Sequence, residues 1–369
     1  MNPQRLFQLP LRYTVSSLAI VALLGTMLNC SSSDRRKPQS QVPEGHVLLK
    51  GAGSTLVSLL LKQWFIAYQN QYPDIEVAYD GVGSGEGIRR FIGKNVKQED
   101  KVDFGASDAA LDDHQIAQVS TGAVLLPVAA GGIVLAYNLP EFEGDLRLTR
   151  KAYTAIFLGE IKYWNDPIIS EANPGKKLPN LEVTTVVRQD GSGTTFAFTK
   201  HLDAISEQWH RSYGPLTRAN WPGTALSAQG NEGIAGRVKE SLGSIGYMAY
   251  AFARRGELKM AVLQNKEGEF VKPMEQSFVS AFAMAKIPED LRLYLPDPSG
   301  ADSYPIVTLS WALLYSKYED SRKAEAVRDL FRWCLMDGQK YAPEAGYIEL
   351  PQNIVVRALS VLNALSARG

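Results

Sequence analysis

Apolar residues recur along this chain with two alternating periods. A short apolar run at 47–49 predicts a strand. Beyond it Leu56, Leu59, Leu60, Trp64 and Ala67, with Gln63 among them, fall at i, i+3 and i+4 spacing and predict a helix over 56–72 with one apolar face. The pattern then repeats as a strand at 75–79, a helix at 87–92 and a strand at 102–105. This βαβα order predicts mostly parallel sheets joined by crossover helices, with ligands bound outside the carboxyl ends of the strands. A long apolar stretch over 124–137 interrupts the order. The alternation restarts with apolar groups at 153–157 and 183–187, and an extended run at 304–309 precedes the C-terminal helical patterns. No internal repeat is visible.

Three of these strand-to-helix junctions are rich in glycine and hydroxyl residues: GAGST at 51–55, GSGEG at 83–87 and RQDGSGTT at 188–195. A strand that stops at glycine and then becomes a helix leaves backbone N–H groups without partners, all pointing one way. Three such helix starts can converge on one anion. Each hydroxyl residue here also reads as a helix N-cap, and the two roles are compatible because the capping and anion-binding N–H groups are the same atoms.

The charge balance makes any anion site local. Lys plus Arg and Asp plus Glu both number 39, so no overall basic field favours nucleic acid or an anionic membrane. At 369 residues, with 45% hydrophobic and 21% charged residues, the chain is long enough for two lobes with separate cores.

The N-terminus carries Arg5 and Arg12 and then an apolar run at 15–28, too short to span a bilayer comfortably and suited to a signal-peptide core. A signal peptide over 1–29 and a Ser- and Pro-containing tether over 30–45 are expected. Residues 27–30 stand where a lipobox would be, which makes Cys30 the candidate for lipidation, although Asn29 replaces the usual small residue before it. The other readings are a secreted protein cleaved nearby and an uncleaved anchor. Cys334 lies in an apolar helical pattern and reads as a core residue.

Enzyme motifs are missing. The sequence 190–193 lacks the first glycine of a nucleophile elbow, there is no P-loop, and the glycine pairs at 51 and 53 and at 83 and 85 lack the third glycine of a dinucleotide fingerprint. His46, His114, His201 and His210 fall in no triad context and are poorly spaced for a metal. No catalytic residue, metal or cofactor is expected.

The motifs together resemble one family. GAGST at 51–55, GVGSGEG at 81–87, VDFGASD at 102–108 and RQDGSGTT at 188–195 are similar to the signature of the periplasmic phosphate-binding proteins of bacterial phosphate ABC transporters. Weaker likenesses fill the gaps: FLGEIKYWNDP at 157–167, GNEGIAGRV at 230–238 and SIGYMAYAFA at 244–253. The resemblance implies an α/β, two-lobed periplasmic-binding-protein fold of type II with the ligand in the interlobe cleft. Lobe 1 would be discontinuous, 46–127 plus 303–369, and lobe 2 would be 128–302.

The resemblance also assigns residues. Thr55, Leu56 (by its N–H alone), Ser84, Ser192, Gly193 and Thr194 would donate to phosphate, Arg188 would grip two of its oxygens, and Asp190 would hold Arg188. Asp108 would accept the proton that phosphate keeps at neutral pH and that sulfate lacks. Taken as plain sequence, a Ser-Asp pair after a strand such as Ser107-Asp108 is more often a helix cap or turn than a ligand. Asp103 reads as structural. Leu56 stands where the family often has Phe. Glu86 departs from the small residues common in its loop and is expected to face solvent.

The partners implied are inorganic phosphate, an ABC permease with its ATPase, and the membrane only through a lipid anchor, for a monomer that binds no nucleic acid. A surface lipoprotein of the same fold that senses phosphate or binds another partner is the alternative.

Overall fold

The computed structural model describes residues 45–283 and 285–367; the expected signal peptide, Cys30 and all but the last residue of the tether lie outside them. The first unit is β1 (Val47–Gly53), α1 (Ser58–Gln71), β2 (Ile75–Asp80), α2 (Ser84–Ile92) and β3 (Phe104–Ser107). β1 pairs in parallel with both β2 and β3, as the βαβα pattern requires. The glycine segment 51–53 belongs to β1 itself, and α1 begins later than its apolar pattern because residues 54–57 turn first.

β4 (Ala123–Tyr137) is the long apolar stretch, fifteen residues buried along nearly its whole length. The chain continues through α3 (Arg150–Phe157), β5 (Thr184–Arg188), α4 (Gly193–Ile205), β6 (Ala225–Ala228), α5 (Gly230–Glu240) and β7 (Ser244–Ala249). β8 (Val307–Tyr315), α6 (Ser321–Met336) and α7 (Gln352–Asn363) close it. The apolar group at 153–157 is therefore helical; Thr149 caps α3 by accepting from Ala152 N–H.

The hydrogen-bonded strand order is β2-β1-β3-β8-β4-β7-β5-β6. The expectation of mostly parallel pairing holds within each lobe but fails at the centre. β8 runs antiparallel to β3 and to β4, and β4 runs antiparallel to β7. These two strands pair with each other along their lengths without a crossover helix. β4 joins the two halves of the sheet: residues 123–132 pair with β8 and residues 133–137 with β7. A register shift between Ser310 and Trp311 falls opposite Pro127, which has no N–H to give the ladder.

The buried side chains form one continuous core, not the separate cores expected from chain length. Its largest members include Trp64, Phe91, Phe104 and Trp311 from the N-terminal strands, their helices and β8, and Tyr153, Phe157, Trp164, Trp209 and Tyr247 from the segment between β4 and β8. Cys334 is buried, as its apolar surroundings predict, and burial pushes its thiol up. His201 is a core residue: its Nδ1–H donates to the carbonyl of Pro296 at 2.5 Å, and Nε2 faces the Tyr153 hydroxyl at 2.9 Å. Burial lowers its pKa to about 4. No helix among the described residues is long and apolar enough to cross a membrane. Nor do the described residues contain a group of three or more His, Cys, Asp or Glu able to hold a metal ion.

Candidate functional site

The glycine junctions converge. β1 ends at Gly53, β2 at Asp80 and β5 at Arg188, so all three loops leave carboxyl ends of strands. Gly83 has φ of +92°, and a Cβ there would lie 2.3 Å from Asp190 Oδ2, so only glycine lets the α2 loop meet the loop after β5. Gly85 N–H donates to Gly191 O at 2.9 Å across the cleft. At Gly193, the first residue of α4, an added Cβ would lie 2.6 Å from Ser84 Oγ and 2.7 Å from Asp108 Cβ. The first turns of α2 and α4 thus abut the same carboxylate, with the lobes closed on each other.

Asp108, the residue after β3, is 1% exposed. The hydroxyls of Ser54 and Ser310 both donate to its Oδ1 at 2.6 Å, which leaves Oδ2 to other partners. Its own N–H donates to Ser84 Oγ at 3.2 Å. Burial raises its pKa to about 6, against the pull of Ser310, Ser54, Arg188 and Ser84, each of which favours the ionised form.

Arg188 is 3% exposed, which a lone guanidinium could not tolerate. Its Nε donates to Asp190 Oδ1 at 2.7 Å, and its Nη2 pairs with Asp190 Oδ2. Asp190 also accepts from Gly230 N–H at 3.1 Å. Burial alone would raise Asp190, but the contacts with Arg188 outweigh it and hold the carboxyl below its ordinary value. The expected orienting pair is present in this geometry. One cation therefore faces two carboxylates, so net side-chain charge cannot attract an anion here. What remains is the field of the converging N–H and hydroxyl groups.

The other expected residues are all buried around this point: Thr55, Leu56, Ser84, Ser192, Gly193 and Thr194. Two of the expected backbone donors are engaged within the protein. Leu56 N–H bonds Ser54 Oγ at 3.0 Å and tightens the turn before α1, and Ser192 N–H bonds Thr217 O at 2.8 Å. The Ser192 hydroxyl caps α4 by accepting from Thr195 N–H at 3.0 Å and keeps its own proton to donate. Ser84 opens α2, three residues earlier than the apolar pattern suggested.

Glu86 points away into a surface cluster with Arg89 and Arg90, as expected from its place in the loop, and the Arg89 contact helps lower its pKa to about 2. Asp103 holds Lys50 N–H and Lys323 Nζ and is structural.

Four residues of this cluster were not singled out from sequence. Ser54, Asn231 and Tyr247 sit inside quoted motifs, where neighbouring residues drew the assignment. Asn231 Nδ2 donates to Thr55 Oγ1 at 2.9 Å and Thr194 Oγ1 at 3.2 Å, one on each lobe. Ser310, in the middle of the apolar strand β8, has no local signal at all. Tyr247, from β7, accepts from Arg188 N–H at 3.2 Å and shares a bond with Thr195 Oγ1 at 2.7 Å.

Two lobes crossed by paired strands, with helix N-termini meeting in the cleft, define a solute-binding protein, and a family model of the PBP superfamily domain matches residues 38–337. The phosphate-binding protein PstS of Xylella fastidiosa is 36% identical over 321 residues, 86% of this chain and 85% of that protein. The phosphate-binding protein PstS of Haemophilus influenzae is 37% identical over 83% of this chain and 90% of its own length. The chain belongs to this PstS family of phosphate-binding proteins.

Solved structures agree on the fold. A high-affinity periplasmic phosphate-binding protein with phosphate bound superposes with a TM-score of 0.71 at 19% identity, covering 85% of this chain and 93% of that one. A putative phosphate ABC transporter substrate-binding protein from Clostridium perfringens, also with bound phosphate, has a TM-score of 0.60 at 16% identity, covering 83% and 100%.

Proposed function

We propose that the protein binds one inorganic phosphate between its lobes, outside the cytoplasmic membrane, and delivers it to an ABC permease driven by its ATPase. The observation that carries this is Asp108: a buried carboxylate with one oxygen satisfied by Ser54 and Ser310, set among helix N-termini and beside Arg188. A site made only of donors would take any tetrahedral oxyanion. A carboxylate in it favours an ion that still carries a proton and repels one that does not.

In this reading Arg188, oriented by Asp190, and the first-turn groups of Ser84, Gly193 and Thr194 hold the phosphate oxygens. Thr55 contributes from the same lobe as Ser84, Leu56 through the turn it forms, and Ser192 through its hydroxyl. The protein acts as a binding partner and not as a catalyst. The names of the PstS relatives and of the structural neighbours support phosphate as the cargo. The division into lobe 1 (46–127 plus 303–369) and lobe 2 (128–302), the anchor at Cys30, export by residues 1–29 and a monomeric state belong to the same proposal.

The test is calorimetric titration of the protein, stripped of bound phosphate, with phosphate and separately with sulfate. One-to-one phosphate binding at about 1 μM or tighter, near −8 kcal/mol, with no heat from sulfate is expected. Binding of both ions with equal affinity would overturn the role given to Asp108, and absence of phosphate binding would overturn the function.

A further inference from the structure

Asn231, the second residue of α5, is fully buried, and each hydrogen-bonding group of its side chain is committed. Its Oδ1 accepts from Ala249 N–H at 2.9 Å, which fixes the orientation of the amide. Its Nδ2 then donates both protons, to Thr55 Oγ1 at 2.9 Å and to Thr194 Oγ1 at 3.2 Å. Its backbone N–H donates to Thr55 Oγ1 as well, at 3.2 Å. Gly230 before it anchors Asp190, so the start of α5 holds both the threonines and the partner of Arg188.

A hydroxyl oxygen has two lone pairs and one proton. Thr55 Oγ1 accepts twice from Asn231. Thr194 Oγ1 accepts from Asn231 and, at 3.5 Å, from Arg188 Nη1. With both lone pairs filled, neither threonine can turn its proton toward Asn231, and the only hydrogen-bonding capacity left on each is as a donor. Without Asn231 each hydroxyl could rotate and present a lone pair to an approaching anion. That would replace an attraction by a repulsion.

We propose that Asn231 is a positioning residue for anion binding, which sets the hydroxyl protons of Thr55 and Thr194 toward the ligand while linking the two lobes. This rests on the phosphate reading above. Because Asn231 reaches the anion only through the two hydroxyls, its effect on affinity should disappear when they are gone. A merely structural role, holding Ala249 and the start of α5, should persist without them.

The experiment is a mutant cycle on phosphate affinity: Asn231→Ala in the wild-type protein and in Thr55→Val/Thr194→Val, with the melting temperature of the phosphate-free proteins measured alongside. Asn231→Ala is expected to weaken phosphate binding on the order of tenfold in the wild type, the scale of one hydrogen bond to a charged group. In the double-valine background it should add less than about twofold, a near-complete coupling within one network. Equal losses in both backgrounds, or unchanged affinity in the wild-type background, would overturn the proposal.

Asn231→Ser keeps a polar group for Ala249 N–H but cannot donate to both threonines, so the same cycle is read with it if the alanine variant does not fold. A folded wild-type protein that ignores phosphate would remove the functional reading itself. A wild-type protein that binds phosphate but gives an additive cycle would remove only the role of Asn231.

Discussion

In the proposed reading Asp108 carries the selectivity, and its protonation state decides how. Burial raises its pKa from 3.8 to about 6, so between about pH 4 and 6 the folded, ligand-free protein holds a proton there that the unfolded chain has lost. The group therefore adds stability below about pH 4 and loses that contribution as pH rises through about 6. Above that range the carboxylate can only accept, and sulfate is refused; below it the protonated acid can donate to sulfate. Sulfate binding should accordingly appear at pH 5 and vanish at pH 8 in a competition titration, and a flat profile would count against Asp108 as the discriminator. Asp108→Asn should admit sulfate at pH 8 while weakening phosphate less than it strengthens sulfate. Arg188→Lys keeps the charge but loses the two-pronged fork held by Asp190, and a loss of phosphate affinity on the order of ten- to hundredfold is expected by calorimetry.

The element that fixes the site is the first turn of α4 pressed against α2 and the end of β3. Gly193 allows it, because any side chain there would strike Ser84 Oγ and Asp108 Cβ, which belong to the opposite lobe. Gly193→Ala should leave each lobe folded, since the clash lies between them and can be relieved by opening the cleft. Phosphate affinity should fall by about a hundredfold or more, and small-angle scattering should show a larger radius in phosphate than for the wild type. A variant as compact and as tight as wild type would show that the lobes need not approach so closely. The start of this helix was legible in the sequence because a strand ending at Arg188 and followed by Gln189-Asp190-Gly191-Ser192 is a local signal. The start of α2 was not: the apolar pattern begins late, while the actual first turn is built of Ser84 and Gly85, whose side chains carry no period.

Across the whole molecule, binding and folding are linked through the closed cleft. Phosphate touching both lobes should raise the melting temperature in proportion to the logarithm of its concentration. At about a hundredfold excess over the dissociation constant this amounts to about 2.7 kcal/mol, with no effect from sulfate at pH 8. Cys334, buried in α6, gives a readout of the same event: a thiol reagent should modify it only as the lobe unfolds, and phosphate should slow that reaction. Rapid labelling at Cys334 itself in the native protein would contradict the packing described for α6.

The sequence alone determined the strand-to-helix junctions, the glycine loops and the residues placed on them, because turn chemistry and apolar period act over a few neighbouring residues. It also carried the two-lobed family likeness through ordered motifs. Only the tertiary structure decided who meets whom. Ser310 reaches Asp108 across 202 positions and Asn231 reaches Thr55 across 176, and nothing in the local pattern of either residue foretells a partner so distant. The antiparallel centre of the sheet was likewise hidden: strand pattern reports burial, whereas strand direction follows from the path by which the chain crosses between the lobes.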